Sequence, residues 1–187
     1  MEIIVINNYV IIFKWYKKYL MEVFVLGEDI ILKPIGIIHS KFKDIESMPI
    51  QPTSDNADKG RIEVDSKYLE GLKDLDEFSH IIVIYNFHKA EQVKLTVKPF
   101  LDDNTHGVFA TRTPVRPNHI GISIVEIDKI NENNIFVKNI DVLDGTPVID
   151  IKPFVPGFDV PKSDVRVGWL ESNIQNVGTR LSDDRFK

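Results

Sequence analysis

The chain has 187 residues, 43% of them hydrophobic and 27% charged, with a formal net charge of −5 and no cysteine. Length and balance suit one globular domain with a real core, with or without an appendage. The missing cysteine excludes disulfides, thiolate metal sites and a cysteine nucleophile, and the acidic balance means that a nucleic-acid partner requires a local basic patch.

The first twenty residues, MEIIVINNYVIIFKWYKKYL, are apolar and aromatic, with Lys14, Lys17 and Lys18 near the end. Asn7 and Asn8 interrupt the apolar run, which is too short to span a bilayer. The positive charges follow the apolar part, the reverse of a signal peptide. Two readings stand: an extra strand or helix, or a non-native extension upstream of a start at Met21. The change of composition at Met21 favours the second. The expected organisation is an extension over residues 1–20, a domain over 21–160 and a peripheral tail over 161–187, in a cytoplasmic protein with no membrane association.

Residues 29–40, DIILKPIGIIHS, are β-branched and apolar with Pro34 and Gly36 inside, and predict a strand with an edge position or a bulge. Residues 41–60 are polar and predict a long loop, and 61–65 alternate as a short strand. Residues 66–75 predict a brief helix, with Ser66 as N-cap and Leu69, Leu72 and Leu75 three apart. Residues 79–87, SHIIVIYNF, predict a strand buried on both faces, and 92–97 an alternating one. Residues 120–130 and 135–140 predict a hairpin over the turn at 131–134. Asp144-Gly145 centres a tight turn, followed by a short strand over 147–151. Residues after Pro161 are polar, with 165–170 able to dock. Short strands with turn signals and almost no helix argue for a mainly all-β fold, a sandwich or an antiparallel barrel with few short helices.

Residues 107–121, GVFATRTPVRPNHIG, hold two arginines and two prolines between glycines, with no acid. Pro114 and Pro117 fix φ and remove two backbone donors, and they push Thr113 and Arg116 toward extended geometry. This predicts a stiff, ordered loop in which Arg112 and Arg116 either hold an anion or a planar group, or are merely solvated. The five histidines, His39, His80, His88, His106 and His119, show no metal-ligand spacing, and no metal site is expected. His88 ends the most apolar strand and is either functional or a capped strand-end residue. No nucleophile elbow, glycine-rich phosphate loop or HExxH is present. Asp141 can accept ribose hydroxyls, and Gly145 permits close backbone approach, although a plain turn explains the same residues.

Six separated stretches closely resemble the TsaA-like family, the tRNA adenine-N6 methyltransferases also called TrmO. They are IGIIHSKFK at 35–43, PIQP at 49–52, EFSHIIVIYNFH at 77–88, GVFATRTPVRPNHIG at 107–121, SIVE at 123–126 and DVLDGTPVIDIKP at 141–153. They run in the family's order over roughly residues 29–156. The family commonly has proline where this chain has His119. The first twenty residues have no counterpart.

The resemblance implies an all-β, barrel-like enzyme that uses S-adenosyl-L-methionine and acts as a homodimer. Its substrate is the threonylcarbamoyl-modified adenosine just 3′ of the anticodon, in the tRNA anticodon loop. By position, its cofactor contacts fall on Ile50, Gln51, Pro52, His88, Lys89, Arg112, Ile124, Asp141, Val142, Leu143 and Asp144. Methyl transfer from a sulfonium needs alignment more than a strong base. The Asn118 side chain, or a nearby backbone carbonyl, can take the N6 hydrogens. An arginine can bind the threonyl carboxylate through two parallel hydrogen bonds, and Arg112 and Arg116 are the two to suspect: Arg116 for that carboxylate or a neighbouring phosphate, Arg112 mainly for the cofactor pocket. Two rival readings remain: a non-catalytic RNA-binding barrel, and a methyltransferase for a small adenine-like molecule.

Overall fold

The computed structural model describes residues 2–6, 9–13, 24–25, 30–46, 48–49, 58–171 and 182. The chain divides into two compact units, residues 1–32 and 33–187. The first contains β1 (Glu2–Ile6), β2 (Tyr9–Phe13) and β3 (Phe24–Val25), paired antiparallel in that order.

The second unit is built on six strands: β4 (Gly36–His39), β5 (Asp58–Val64), β6 (His80–Asn86), β9 (Ile120–Asn131), β10 (Asn134–Ile140) and β11 (Thr146–Pro153). Between β6 and β9 lie two short strands, β7 (Thr96–Val97) and β8 (His106–Gly107), which pair only with each other. The six strands close into a barrel in the order β10-β5-β4-β11-β6-β9, with every pairing antiparallel. Closure leaves the sheet no free edge, which is why many short strands with alternating patterns suffice.

Strand parity explains the core. Ile81, Val83 and Tyr85 of β6, Ser123 and Val125 of β9, Ile62 and Val64 of β5, and Ile135 and Val137 of β10 all point inward and are buried. The sequence predicted β6 buried on both faces. Its burial instead alternates, because a closed antiparallel sheet here has an inner face and an outer one left partly open. The hairpin over residues 131–134 is present, with Asn131 opposite Asn134.

Other elements are trimmed. β4 takes only Gly36–His39 of the stretch 29–40, because Pro34 interrupts the approach, although the Ile35 N–H still donates to the Val148 carbonyl at 2.8 Å. The helix expected at 66–75 is two 3-10 turns, Ser66–Leu72 and Leu75–Glu77. Its cap is Asp65, whose side chain accepts from the Lys67 N–H, rather than Ser66. Of the strand expected over 92–97 only Thr96–Val97 pairs.

One irregularity positions the chemistry. The register between β10 and β5 shifts between Val137 and Ile140, with Asn139 at φ 62°. The shift puts Ile140 into the core three residues after Val137, not two. Asp141 then follows directly, at the end of the barrel.

Candidate functional site

A cleft of about 1080 Å³ opens at that end of the barrel. One wall is the loop running from β8 to β9, and its order has identifiable causes. Val108 and Val115 are buried, Val115 against Val97 and Phe100. The Thr111 hydroxyl donates to the Val108 carbonyl at 2.8 Å and lies 3.0 Å from the Thr113 hydroxyl. The Lys94 N–H reaches the Val115 carbonyl at 2.9 Å. Arg116 turns one terminal nitrogen back to the Thr111 and Thr113 carbonyls, at 3.1 and 3.5 Å. His119 closes the loop at φ 49°, its Nδ1 donating to the Pro114 carbonyl at 2.9 Å. A proline cannot take that φ, so the loop's closing turn depends on this residue not being proline.

The floor is a polar chain inside an otherwise apolar barrel end. The Tyr85 hydroxyl lies 3.1 Å from Ser123 Oγ, and Ser123 Oγ donates to Asp141 Oδ1 at 2.7 Å. With Asp141 ionised, the direction of the chain is fixed: tyrosine donates to serine and serine to carboxylate. Burial raises the Tyr85 pKa strongly. Burial likewise pushes Asp141 up to about 6, against the opposing pull of the Ser123 hydrogen bond and the Arg112 charge. Asp141 keeps part of its surface open to the cleft while its carboxylate is packed about by protein atoms. The Tyr85 ring needs the bare backbone of Gly121: a Cβ there would stand 2.2 Å from Cε2 of the ring. Phe87 meets the same ring edge-on at 5.3 Å.

The opposite wall is the turn after Asp141. Gly145 takes φ 78° and the Thr146 N–H donates to the Leu143 carbonyl. Asp144 accepts from the Ser40 N–H at 3.1 Å and pairs with Lys43 at 2.7 Å, and both hold its carboxyl below the usual range. His88 Nδ1 lies 3.2 Å from the Thr146 hydroxyl, and burial together with the Lys89 charge lowers its pKa. His88 is therefore a neutral ring at neutral pH.

The tail also contributes. Trp169, in the 3-10 turn Gly168–Leu170, donates its indole N–H to the Ala110 carbonyl at 2.9 Å and stacks on His106 at 4.6 Å. The Ser182 N–H donates to the Met48 carbonyl at 2.8 Å, and the Met48 N–H returns a bond to Ser182 Oγ at 3.0 Å. Trp169, Leu170 and Ser182 line the cleft, so the tail is part of the site and not peripheral to it.

Of the residues singled out by sequence, His88, Lys89, Arg112, Arg116, Asp141, Val142 and Leu143 line this one cleft. Ile50, Gln51 and Pro52 lie outside the described residues, although the adjoining Met48 and Pro49 line it. Asp144, Asn118 and Ile124 are not among the lining residues. Asp144 is turned to the 40–43 segment, Asn118 is exposed in the loop, and Ile124 sits on the outer face of β9. Sequence reasoning missed Tyr85, Ser123 and Trp169. The available signal was parity: a tyrosine and a serine occupy inward positions of two otherwise apolar strands.

Among the described lining residues, Asp141 is the one carboxylate, against Lys89, Arg112 and Arg116. The cleft thus has the local positive excess that a chain of net charge −5 otherwise lacks. Its size stands at the top of the range of roughly 300–1,000 Å³ for a small-molecule site, so it has room for more than one bound moiety.

Residues 37–160 match the family profile described as the tRNA-methyltransferase O N-terminal domain. A probable S-adenosyl-L-methionine-binding protein of Pyrococcus abyssi is 49% identical over 162 residues, covering 87% of this chain and 88% of that protein. A mouse tRNA (adenine(37)-N6)-methyltransferase is 31% identical over 72% of this chain, which spans only 33% of the mouse protein. The crystal structure of TrmO from Pseudomonas aeruginosa superposes with a TM-score of 0.62 at 34% identity, over 76% of this chain and 63% of the other.

Proposed function

We propose that this chain, which belongs to the tRNA-methyltransferase O N-terminal domain family, transfers a methyl group from S-adenosylmethionine to adenine N6 of threonylcarbamoyl-modified adenosine beside the anticodon. The names of the relatives from Pyrococcus abyssi and mouse support the cofactor and the substrate class. The observation that carries the reading is Asp141: a buried carboxylate, hydrogen-bonded by Ser123, at the floor of a large and largely apolar cleft. Burying such a charge is unfavourable unless a positive partner arrives, and perturbed carboxylates in clefts mark functional sites.

The residues fit the cofactor. S-adenosylmethionine, when bound, supplies an electrophilic methyl group on a positively charged sulfonium. We assign Asp141 to its hydroxyl or ammonium donors. The Val142 and Leu143 backbone and the Met48–Pro49 edge supply the neighbouring wall. His88, neutral beside Thr146, adds no repelling cation. Arg112 belongs to the same pocket, where its charge already acts on Asp141.

The chain's chemical work is alignment, worth up to about 7–11 kcal/mol in favourable cases. The N6 hydrogens need an acceptor in the loop, and we assign them to the exposed Asn118 amide or to a loop carbonyl. Arg116 commits one terminal nitrogen to its own loop, leaving Nη2 and Nε for the threonyl carboxylate.

A second copy completes the assembly in this reading. Ile82 and Ile84 of β6 stand opposite Ile124 and Ile122 of β9 on the outer barrel face. Ile122 and Ile124 are 48% and 42% exposed, and Ile84 and Ile122 also line the cleft. An apolar patch continuous with the site suits a homodimer interface and accounts for a cofactor-assigned residue, Ile124, lying outside its own cleft.

Mass spectrometry of tRNA nucleosides after incubation with protein and S-adenosylmethionine tests the reaction. A methyl group on the threonylcarbamoyl-adenosine is expected, and its absence from every nucleoside refutes the reading. A non-catalytic RNA-binding barrel would show no rise in melting temperature on adding the cofactor.

A further inference from the structure

We infer that Trp169 is a stacking platform for a base of the RNA substrate, set in the cleft by the tail and lying beyond the residues the family profile matches. The inference rests on the methyltransferase reading above and names how the RNA is held there.

Three observations carry it. The indole is fixed at two points, by its N–H on the Ala110 carbonyl at 2.9 Å and by its face on His106, at 4.6 Å and 19° between planes. His106 is itself held, its Nε2 3.0 Å from Asp102 Oδ2, so the stack has a rigid base. Trp169 lines the cleft, as does Phe109, which is 76% exposed. A large aromatic side chain left open at a cleft, and anchored so that it loses little freedom on binding, suits a flat ring that continues the stack.

The neighbours select the ligand. The loop that carries Ala110 also carries Arg116, and from 107 to 121 it contains no acid. Aromatic platforms interleaved with cations are how single-stranded RNA is gripped: bases stack on the rings while guanidinium groups meet the backbone phosphates. The cofactor is assigned to the other wall, around Asp141, His88 and Met48. The wall carrying Trp169, Phe109 and Ala110 is left for the second moiety that the cleft has room to take. Residues 37–160 match the family profile and Trp169 lies outside them, so the indole is added to Phe109 and Ala110 by a stretch of chain beyond the matched residues.

The test uses the full chain on a Trp15→Phe background, which leaves Trp169 as the single tryptophan. An anticodon stem-loop RNA is titrated in the presence of S-adenosylhomocysteine, and separately the cofactor is titrated alone. The RNA is expected to quench the Trp169 emission. Trp169→Ala is expected to weaken RNA binding, read by filter retention, roughly 5- to 150-fold, as the loss of one stacked base does. Trp169→Phe should restore most of that loss, and both variants should keep the wild-type cofactor affinity. A merely structural role would lower cofactor affinity and melting temperature together and would not be rescued by phenylalanine alone. RNA that binds without quenching and without dependence on Trp169 overturns the inference while leaving the methyltransferase reading intact. A loss confined to cofactor affinity overturns it in favour of the cofactor's own adenine. A wild-type chain that retains no RNA overturns both readings.

Discussion

Asp141→Asn should make the protein more stable at neutral pH and at the same time unable to hold its cofactor well. The wild-type carboxyl titrates at about 6 in the folded protein and at its ordinary 3.8 when exposed. Below 3.8 both states are protonated and ionisation contributes nothing. Between 3.8 and 6 the unfolded chain has released its proton while the folded one keeps it, so stability falls as pH rises. Above 6 the fall is complete. The gap of about two pH units, at 1.36 kcal/mol each, corresponds to about 3 kcal/mol of stability lost by pH 7. Asparagine has no charge to bury and keeps an oxygen to accept the Ser123 hydroxyl, so the variant escapes that loss. Urea unfolding of both proteins at intervals from pH 4 to 8 measures it. The difference in stability, variant minus wild type, should climb toward about 3 kcal/mol by pH 7 and then level. A difference that stays flat within about 0.5 kcal/mol, or that shrinks as pH rises, refutes the placement of an ionisable group under desolvation at the cleft floor. A chain that keeps a destabilising carboxylate here keeps it for what binds there.

The same group sets the pH dependence of cofactor binding: calorimetry should show affinity for S-adenosylmethionine falling about tenfold per pH unit below about 6, and the Asp141→Asn variant should show no such slope. Gly121→Ala places a methyl group 2.2 Å from the Tyr85 ring and 2.9 Å from Phe87, so it should lower stability by about 1–3 kcal/mol and reduce methylation, as urea unfolding and an activity assay will read. Arg116→Ala should erase the preference for threonylcarbamoyl-adenosine over plain adenosine, since a charged pair with its carboxylate is worth about 2–5 kcal/mol; an unchanged preference with a shallower salt slope would point instead to a phosphate, and no change in either would make Arg116 a brace for its loop alone. Ile124→Lys should convert a dimeric mass in light scattering to a monomeric one, and a monomeric wild type at micromolar concentration refutes the proposed interface.

What could be read from the sequence was what depends on near neighbours. The strand character of β6, the turn at 131–134 and the glycine at 145 each carry their own local signal, and together so many short strands narrow the fold to a sandwich or a barrel that hides their edges. The site was legible only in part, because its parts meet through register. Tyr85, Ser123 and Asp141 come from β6, β9 and the end of β10, and they converge only because Gly121 lets the ring lie flat and the shift before Ile140 delivers the carboxylate. No window of the sequence contains that information. Trp169 is further removed still, since its docking on His106 and Ala110 joins segments about sixty residues apart. Yet each of these residues breaks a rule that its surroundings obey: a hydroxyl in an apolar inward series, a charge beside the core, a large aromatic in a polar tail. A strand that needed only to fold would place valine at Ser123 and Phe at Tyr85, and the barrel core would be drier for it. Places where local consistency is given up are where a sequence most directly states its function.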